Sequence, residues 1–200
     1  MRILLLGGSP TAPSTTNRLL QHIGDKLALH GHRTIKLQVR DLPPRPLLHG
    51  DTDDSAIRRA LFAVADAQAI VVGTPVYKAA YTGLLKSFLD LLPQNGLAGK
   101  LVLPVATGGS QSHMLALDYA LRPVLQSTGA RHVLTSIFAT SQQLSWKDGA
   151  GLTLDPAIAF RVAAGVEELN TALRALDSDD GEAANVPPVP HLPQLVRLAQ

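Results

Sequence analysis

The sequence has no cysteine among its 200 residues. That excludes disulfides, thiolate nucleophiles, iron–sulfur clusters and cysteine-ligated zinc, and it is compatible with a reducing compartment. Any redox chemistry must be borrowed from a bound cofactor. Long apolar runs are also missing. The first, from Ile3 to Leu6, is too short for the hydrophobic region of a signal peptide and stops at Gly7-Gly8, and no later run approaches the length of a membrane span. A cytoplasmic protein without membrane contact is expected. Lys and Arg are scattered instead of gathered into runs, the formal net charge is +2 and the isoelectric point is about 9.1, so no nucleic-acid-binding arm is expected. The seven histidines lack the two-histidine helical spacing of a metal site, and no internal repeat is present.

With 46% hydrophobic residues, the chain suits one core of ordinary size, hence one domain over residues 1–176. Short apolar segments rich in Val, Ile and Leu read as buried strands at residues 2–6, 34–39, 69–73, 101–106 and 132–139. Helical spacing predicts helices over residues 15–29, 54–67, 82–92 and 112–127, and a last one over 156–176. This alternation requires a parallel sheet covered on both faces, and five strands suit a flavodoxin-like three-layer α/β sandwich in the order 2-1-3-4-5. Residues 41–53, with three prolines, are expected to be irregular. Residues 177–200 begin acidic, continue Val186-Pro187-Pro188-Val189-Pro190, and are expected to form a flexible tail or extended arm.

In such sheets ligands collect at the carboxyl ends of the strands, and three segments rich in Gly, Ser, Thr or Pro fall there. After the first strand the chain reads Gly7-Gly8-Ser9-Pro10-Thr11-Ala12-Pro13-Ser14-Thr15-Thr16-Asn17. Glycines let the backbone approach a ligand, free amides at the helix start carry the positive end of the dipole, and the hydroxyls of Ser9, Thr11, Ser14, Thr15 and Thr16 can donate to phosphate oxygens. A terminal phosphomonoester fits such a nest, although Ser and Thr there also serve as ordinary helix caps. The lysine and spacing of a triphosphate-binding loop are missing, and so is the third glycine of a dinucleotide fingerprint.

The third strand ends in Gly73-Thr74-Pro75-Val76-Tyr77-Lys78-Ala79-Ala80-Tyr81-Thr82-Gly83. Pro75 stiffens the backbone, exposed amides from Thr74 to Lys78 can bond the edge of a flat ligand, and Tyr77 can cover its face. Lys86 and Asp90 stand four apart on the following helix, where a surface ion pair accounts for both. The fourth strand runs into Thr107-Gly108-Gly109-Ser110, a further set of small residues whose amides can face a ligand.

Two of these stretches carry a resemblance. The run Thr74-Pro75-Val76-Tyr77, with Gly83 behind it, resembles the ring-binding loop of flavodoxin-like NADPH-dependent FMN reductases. Its continuation through Lys78 to Tyr81, with His113-Met114-Leu115-Ala116-Leu117-Asp118-Tyr119-Ala120-Leu121-Arg122-Pro123, is similar to the branch that supplies alkanesulfonate monooxygenases. The resemblance covers roughly residues 1–175. It implies FMN and NADPH as the bound cofactors, no catalytic side chain beyond the cofactors, and a homo-oligomer, either a dimer or a dimer of dimers. It also implies a flavin-dependent monooxygenase as partner and a one-residue π-bulge at Tyr119, at a subunit interface where that ring modulates flavin retention. Pro123 inside the helical pattern agrees with an irregular helix. One departure stands out: members of the family often have an arginine after Gly-Ser-Pro, where this chain has Thr11, and Arg18 is a possible substitute. A quinone or azo reductase with tightly held FMN, and a flavodoxin-type electron carrier, remain as alternatives.

Overall fold

The computed structural model describes residues 1–183 apart from Asp148 and Ala150. Its strands are β1 (Arg2–Gly7), β2 (Arg33–Gln38), β3 (Ala69–Tyr77), β4 (Ala80–Tyr81), β5 (Leu101–Gly108), β6 (His132–Val133), β7 (Ile137–Thr140), β8 (Leu144–Lys147) and β9 (Gly151–Leu154). The α-helices are α1 (Thr15–Leu29), α2 (Pro44–His49), α3 (Ser55–Asp66), α4 (Gly83–Leu89), α5 (Arg122–Ser127) and α6 (Pro156–Ala183). The parallel sheet runs β2-β1-β3-β5-β6, with β7 continuing beside β5 beyond β6. This is the expected flavodoxin-like order, with its fifth position filled by two short strands.

The layering follows from period-2 alternation along the strands. In β1, Ile3 and Leu5 point to one face with Leu19, Leu20, Ile23 and Leu27 of α1 and Val162, Val166 and Leu169 of α6. Leu4 and Leu6 point to the other, against Ile57 and Val64 of α3, Phe88 of α4 and Leu125 of α5. β3 and β5 lie in the middle and are buried almost throughout, which is why they read as continuous apolar runs. Asp54 caps α3 by accepting from the amides of Ala56 and Ile57. No described helix is long and apolar enough to cross a membrane.

The division of the fifth strand has a physical cause in Pro104. The amide of Leu101 donates inward to Gln68 at 3.2 Å, while the carbonyl of Val102 faces outward and accepts from Leu134 at 2.8 Å. By alternation residue 104 should present its amide outward, and proline has none. The ladder stops after Val133 and resumes at Ile137. Arg122 closes the gap, donating from Nη1 to the carbonyl of Val133 at 2.9 Å and from Nη2 to that of Leu134 at 3.2 Å.

Other expectations shift in detail. The segment over residues 41–53, expected to be irregular, contains α2, with Pro44 at the first helical position and Gly50 as a left-handed cap at φ 71°. The helix expected over residues 112–127 is a 3₁₀ turn (Gln111–Met114), a π-helical segment (Leu117–Leu121) and α5. The β8–β9 hairpin has no counterpart in the sequence reading. α6 continues to Ala183, past the expected end at Leu176, and residues 184–200 of the expected tail lie outside the described residues.

Candidate functional site

The three segments meet at the carboxyl edge of the sheet because β1, β3 and β5 are adjacent and in register, with Gly7 opposite Gly73 and Pro75 opposite Thr107. They enclose a crevice of about 220 Å³. Ser9, Thr11, Ser14, Thr15 and Thr16 line it from the first segment, Pro75, Val76 and Tyr77 from the second, and Thr107, Gly108 and Gly109 from the third. Pro13 and Ser141 also face it and were not singled out in the sequence. Among the described residues none that line it is charged.

The first segment folds tightly against its neighbours. Gly8 donates to the carbonyl of Gly73 at 2.7 Å, and a Cβ on Gly8 would lie 2.7 Å from that of Leu85, so only glycine fits. Ser14 is the N-cap of α1, accepting from the amide of Asn17 at 3.2 Å. The amides of Thr15 and Thr16, in the first turn, have no intrahelical acceptor and remain for a ligand. Thr16 and Thr107, both buried, share a 2.6 Å bond between their hydroxyl oxygens. One proton is spent in that bond, and the other hydroxyl keeps its own for the crevice.

The second segment is the end of a strand rather than a loop. β3 runs to Tyr77 and folds back through a two-residue turn onto β4, with Tyr77 opposite Ala80. Lys78 and Ala79 hold φ of 50° and 62°, the double positive-φ geometry of a type I′ turn, which normally selects Asn-Gly. Lys78 is therefore exposed at a hairpin tip, outside the crevice lining. Thr74 is buried and its hydroxyl is already engaged: it donates to the carbonyl of Pro75 at 3.0 Å and accepts from the amide of Thr82 at 3.2 Å. Thr82, which the sequence reading took only as a helix start, donates to the carbonyl of Gly8 at 2.6 Å and caps α4 through the amide of Leu85 at 3.2 Å. It thus ties the first segment, the end of β3 and the start of α4 together.

Tyr119 stands on the π-helical segment, 79% exposed and outside the crevice. That segment packs against β4. Arg122 fixes its far end, bonding Asp118 Oδ1 from Nε at 3.1 Å. Lys86 and Asp90 pair at 2.5 and 2.8 Å on the surface, as expected. His113 lies near Gly108, and its Nδ1 is buried without a hydrogen-bond partner.

Residues 1–145 match the family model described as NADPH-dependent FMN reductase. The chain belongs to this family. It is 44% identical over 149 residues to an FMN reductase (NADPH) of Pseudomonas putida, covering 74% of this chain and 76% of the relative. An FMN reductase (NADPH) of Escherichia coli is 42% identical over 144 residues, covering 72% and 75%. The solved apo form of an NADH:FMN oxidoreductase (EMOB) superposes with a TM-score of 0.79 at 40% identity, covering 86% of this chain and 89% of that one.

The crevice suits the family's flavin in its donor chemistry. Hydroxyls and free amides stand where a phosphomonoester needs donors, and nothing lies within 4 Å of the Cβ position of Gly109, so a flat ligand can approach its backbone. Among the described residues no cation lines the crevice beside Thr11, and Arg18, the possible substitute, is not in its lining. Arg40, from the 3₁₀ turn after β2, donates from Nη1 to the carbonyl of Thr11 and braces the loop from outside. Arg18 instead lies 4.1 Å over the ring of Trp146. The only hint of Arg40 in the sequence was the missing arginine at position 11.

Proposed function

We infer that this chain is an NADPH-dependent FMN reductase for which FMN is a substrate that leaves, and that reduced FMN passes to a flavin-dependent, sulfonate-type monooxygenase. The observation that carries the reading is the 42–44% identity to two relatives named FMN reductase (NADPH), together with a crevice built from three sheet-end segments to receive the flavin. Hydrogen bonds from these hydroxyls and amides to a phosphate are charge-assisted through the anion, about 1.5–3 kcal/mol each, so an uncharged cradle suffices to hold the phosphate end. The relatives' name makes FMN the acceptor in them, which favours a released flavin here over the alternative of a quinone or azo reductase with tightly bound FMN.

When bound, FMN supplies an N5 atom that accepts hydride from the nicotinamide. The chain binds and orients. The amides of Thr15 and Thr16 would hold the phosphate end, Pro75 and Val76 would stiffen the strand end beside the ring, Tyr77 would cover it, and Gly108 and Gly109 would leave room for its edge. No side chain need act as a general base. The monooxygenase partner is supported by the likeness of Thr74–Tyr81 and His113–Pro123 to the sulfonate-linked branch. Met114, Leu115 and Tyr119 are exposed beside one another in sequence, and we assign them to a subunit contact in a dimer or dimer of dimers. The cytoplasm is the compartment this reading implies.

The test is to purify the protein, record whether flavin accompanies it, and follow NADPH oxidation as free FMN is titrated, with a quinone as competing acceptor. Saturable dependence on added FMN supports the reading. Stoichiometric retained flavin with faster quinone reduction, or no NADPH oxidation in excess FMN, overturns it.

A further inference from the structure

A second groove, of about 480 Å³, opens beside the first and shares Pro13 and Ser14 with it. Its walls are the outer face of α1, the end of β2 and the β8–β9 hairpin. Among the described residues three cations line it, Arg18, Lys36 and Arg40, against one carboxylate, Asp25, which is already engaged by the amide of Gln21. Among the described residues neither Arg18 nor Lys36 is in an ion pair. Trp146, 44% exposed, presents an indole ring to the same space, with the Arg18 guanidinium over it. Asn17 Nδ2 and Oδ1 and Gln38 Oε1, on residues that line the groove, are buried without hydrogen-bond partners among the described residues.

Two cations outside any ion pair among the described residues, Arg18 and Lys36, with Arg40 beside them paired to Asp41 at 3.6 Å, surround a flat aromatic ring. This matches a ligand that is anionic and flat, and a phosphorylated nucleoside is both. The two walls separate these tasks: Lys36 and Arg40 stand on the β2 side, while Trp146 stands on the hairpin. The groove starts where the phosphate loop of the crevice ends, at Pro13 and Ser14, so one extended substrate can reach both.

We propose that this groove binds the adenosine-phosphate portion of a nucleotide substrate, with Lys36, Arg18 and Arg40 facing its phosphate and Trp146 its base. The proposal rests on the flavin-reductase reading of the adjoining crevice. Two substrates carry that chemistry, the 2′-phosphoadenosine end of NADPH and the adenylate end of FAD, and each would extend from the crevice into the groove. The groove then selects among substrates, while the crevice holds the part common to all flavins.

The probe is adenosine 2′,5′-bisphosphate, titrated calorimetrically into the intact FMN-loaded protein. Binding is expected, weakened about tenfold or more in the Arg18→Gln/Lys36→Gln double variant. It should be unaffected by Arg33→Gln, which removes a charge from the other end of β2. Trp146→Leu is a second variant and should weaken the same titration with both cations in place. Steady-state kinetics then separate the sources. A fall in the NADPH-to-NADH ratio of kcat/KM assigns the groove to the pyridine nucleotide, and a fall in the FAD-to-FMN ratio assigns it to the flavin dinucleotide. Undiminished bisphosphate binding in both variants, or two unmoved ratios, overturns the proposal. Wild-type protein that oxidises NADPH with FMN while failing the titration defeats the groove alone, whereas absence of FMN reduction defeats the function.

Discussion

Replacing Thr82 by valine removes one hydroxyl without changing the shape of the side chain. That hydroxyl is 4% exposed as part of Thr82, donates to the Gly8 carbonyl at 2.6 Å and accepts the Leu85 amide at 3.2 Å. Loss of an N-cap side chain costs about 1 kcal/mol, and a buried carbonyl left without its donor costs about 1–3 kcal/mol. The sum is a loss of about 2–4 kcal/mol for Thr82→Val, while Thr82→Ser, which keeps the oxygen and its proton, should lose less than about 1 kcal/mol. Urea denaturation of both variants beside the parent, with a shared m-value, reads the difference directly. Because Gly8 carries the first segment of the crevice, FMN affinity measured by fluorescence quenching should fall in Thr82→Val and be largely kept in Thr82→Ser. If valine and serine proved equally stable, Thr82 would not join these elements, and the account of how the crevice is held would fail.

Three further outcomes follow from the same coordinates. Thr16→Val, Thr107→Val and their combination form a double-mutant cycle. Their 2.6 Å bond should give a coupling of about 1 kcal/mol in urea denaturation, and additive losses would argue against it. Ala79 holds φ 62° without being glycine, so Ala79→Gly should raise stability by about 0.5–1 kcal/mol and Ala79→Val should lower it, and the reverse order would refute the strained turn. Burial holds the His32 imidazole below its ordinary pKa of 6.5, against the opposing pull of its bond to Asn170. As pH falls below 6.5, the unfolded chain takes up that proton before the folded one, so stability declines until the lower folded pKa is passed. The decline, followed by the urea midpoint between pH 7.5 and 5, should be shallower in His32→Gln, and identical slopes would remove His32 as a contributor.

Much of the site was legible because it depends on local chemistry at strand ends. Glycine and hydroxyl clusters after three apolar runs located all three segments of the crevice, and alternation of strand and helix fixed their adjacency. What escaped was set by neighbours far along the chain. Arg40 reaches Thr11 across 29 positions, and no local pattern announces such a contact. The split of the fifth strand depends on Pro104 in a different strand, so residues 132–139 alone read as continuous. The β8–β9 hairpin, with Ser145, Trp146 and Lys147 exposed, lacks the buried apolar run that reveals a strand. Thr74 and Lys78 were grouped with the crevice by position, yet strand pairing and the hairpin turn send one inward and the other to the tip.

The gap opposite Pro104 also bears on how the molecule behaves in a crowded solution. The flank formed by β6 and β7 is a place where an unbroken edge would let a foreign strand zip on and seed aggregates, but it offers only two residues, an interruption, and then four. With the guanidinium of Arg122 occupying the carbonyls in between, a would-be intruder meets a positive charge and no continuous ladder. The imino acid that breaks the strand thereby guards the fold against uncontrolled self-association.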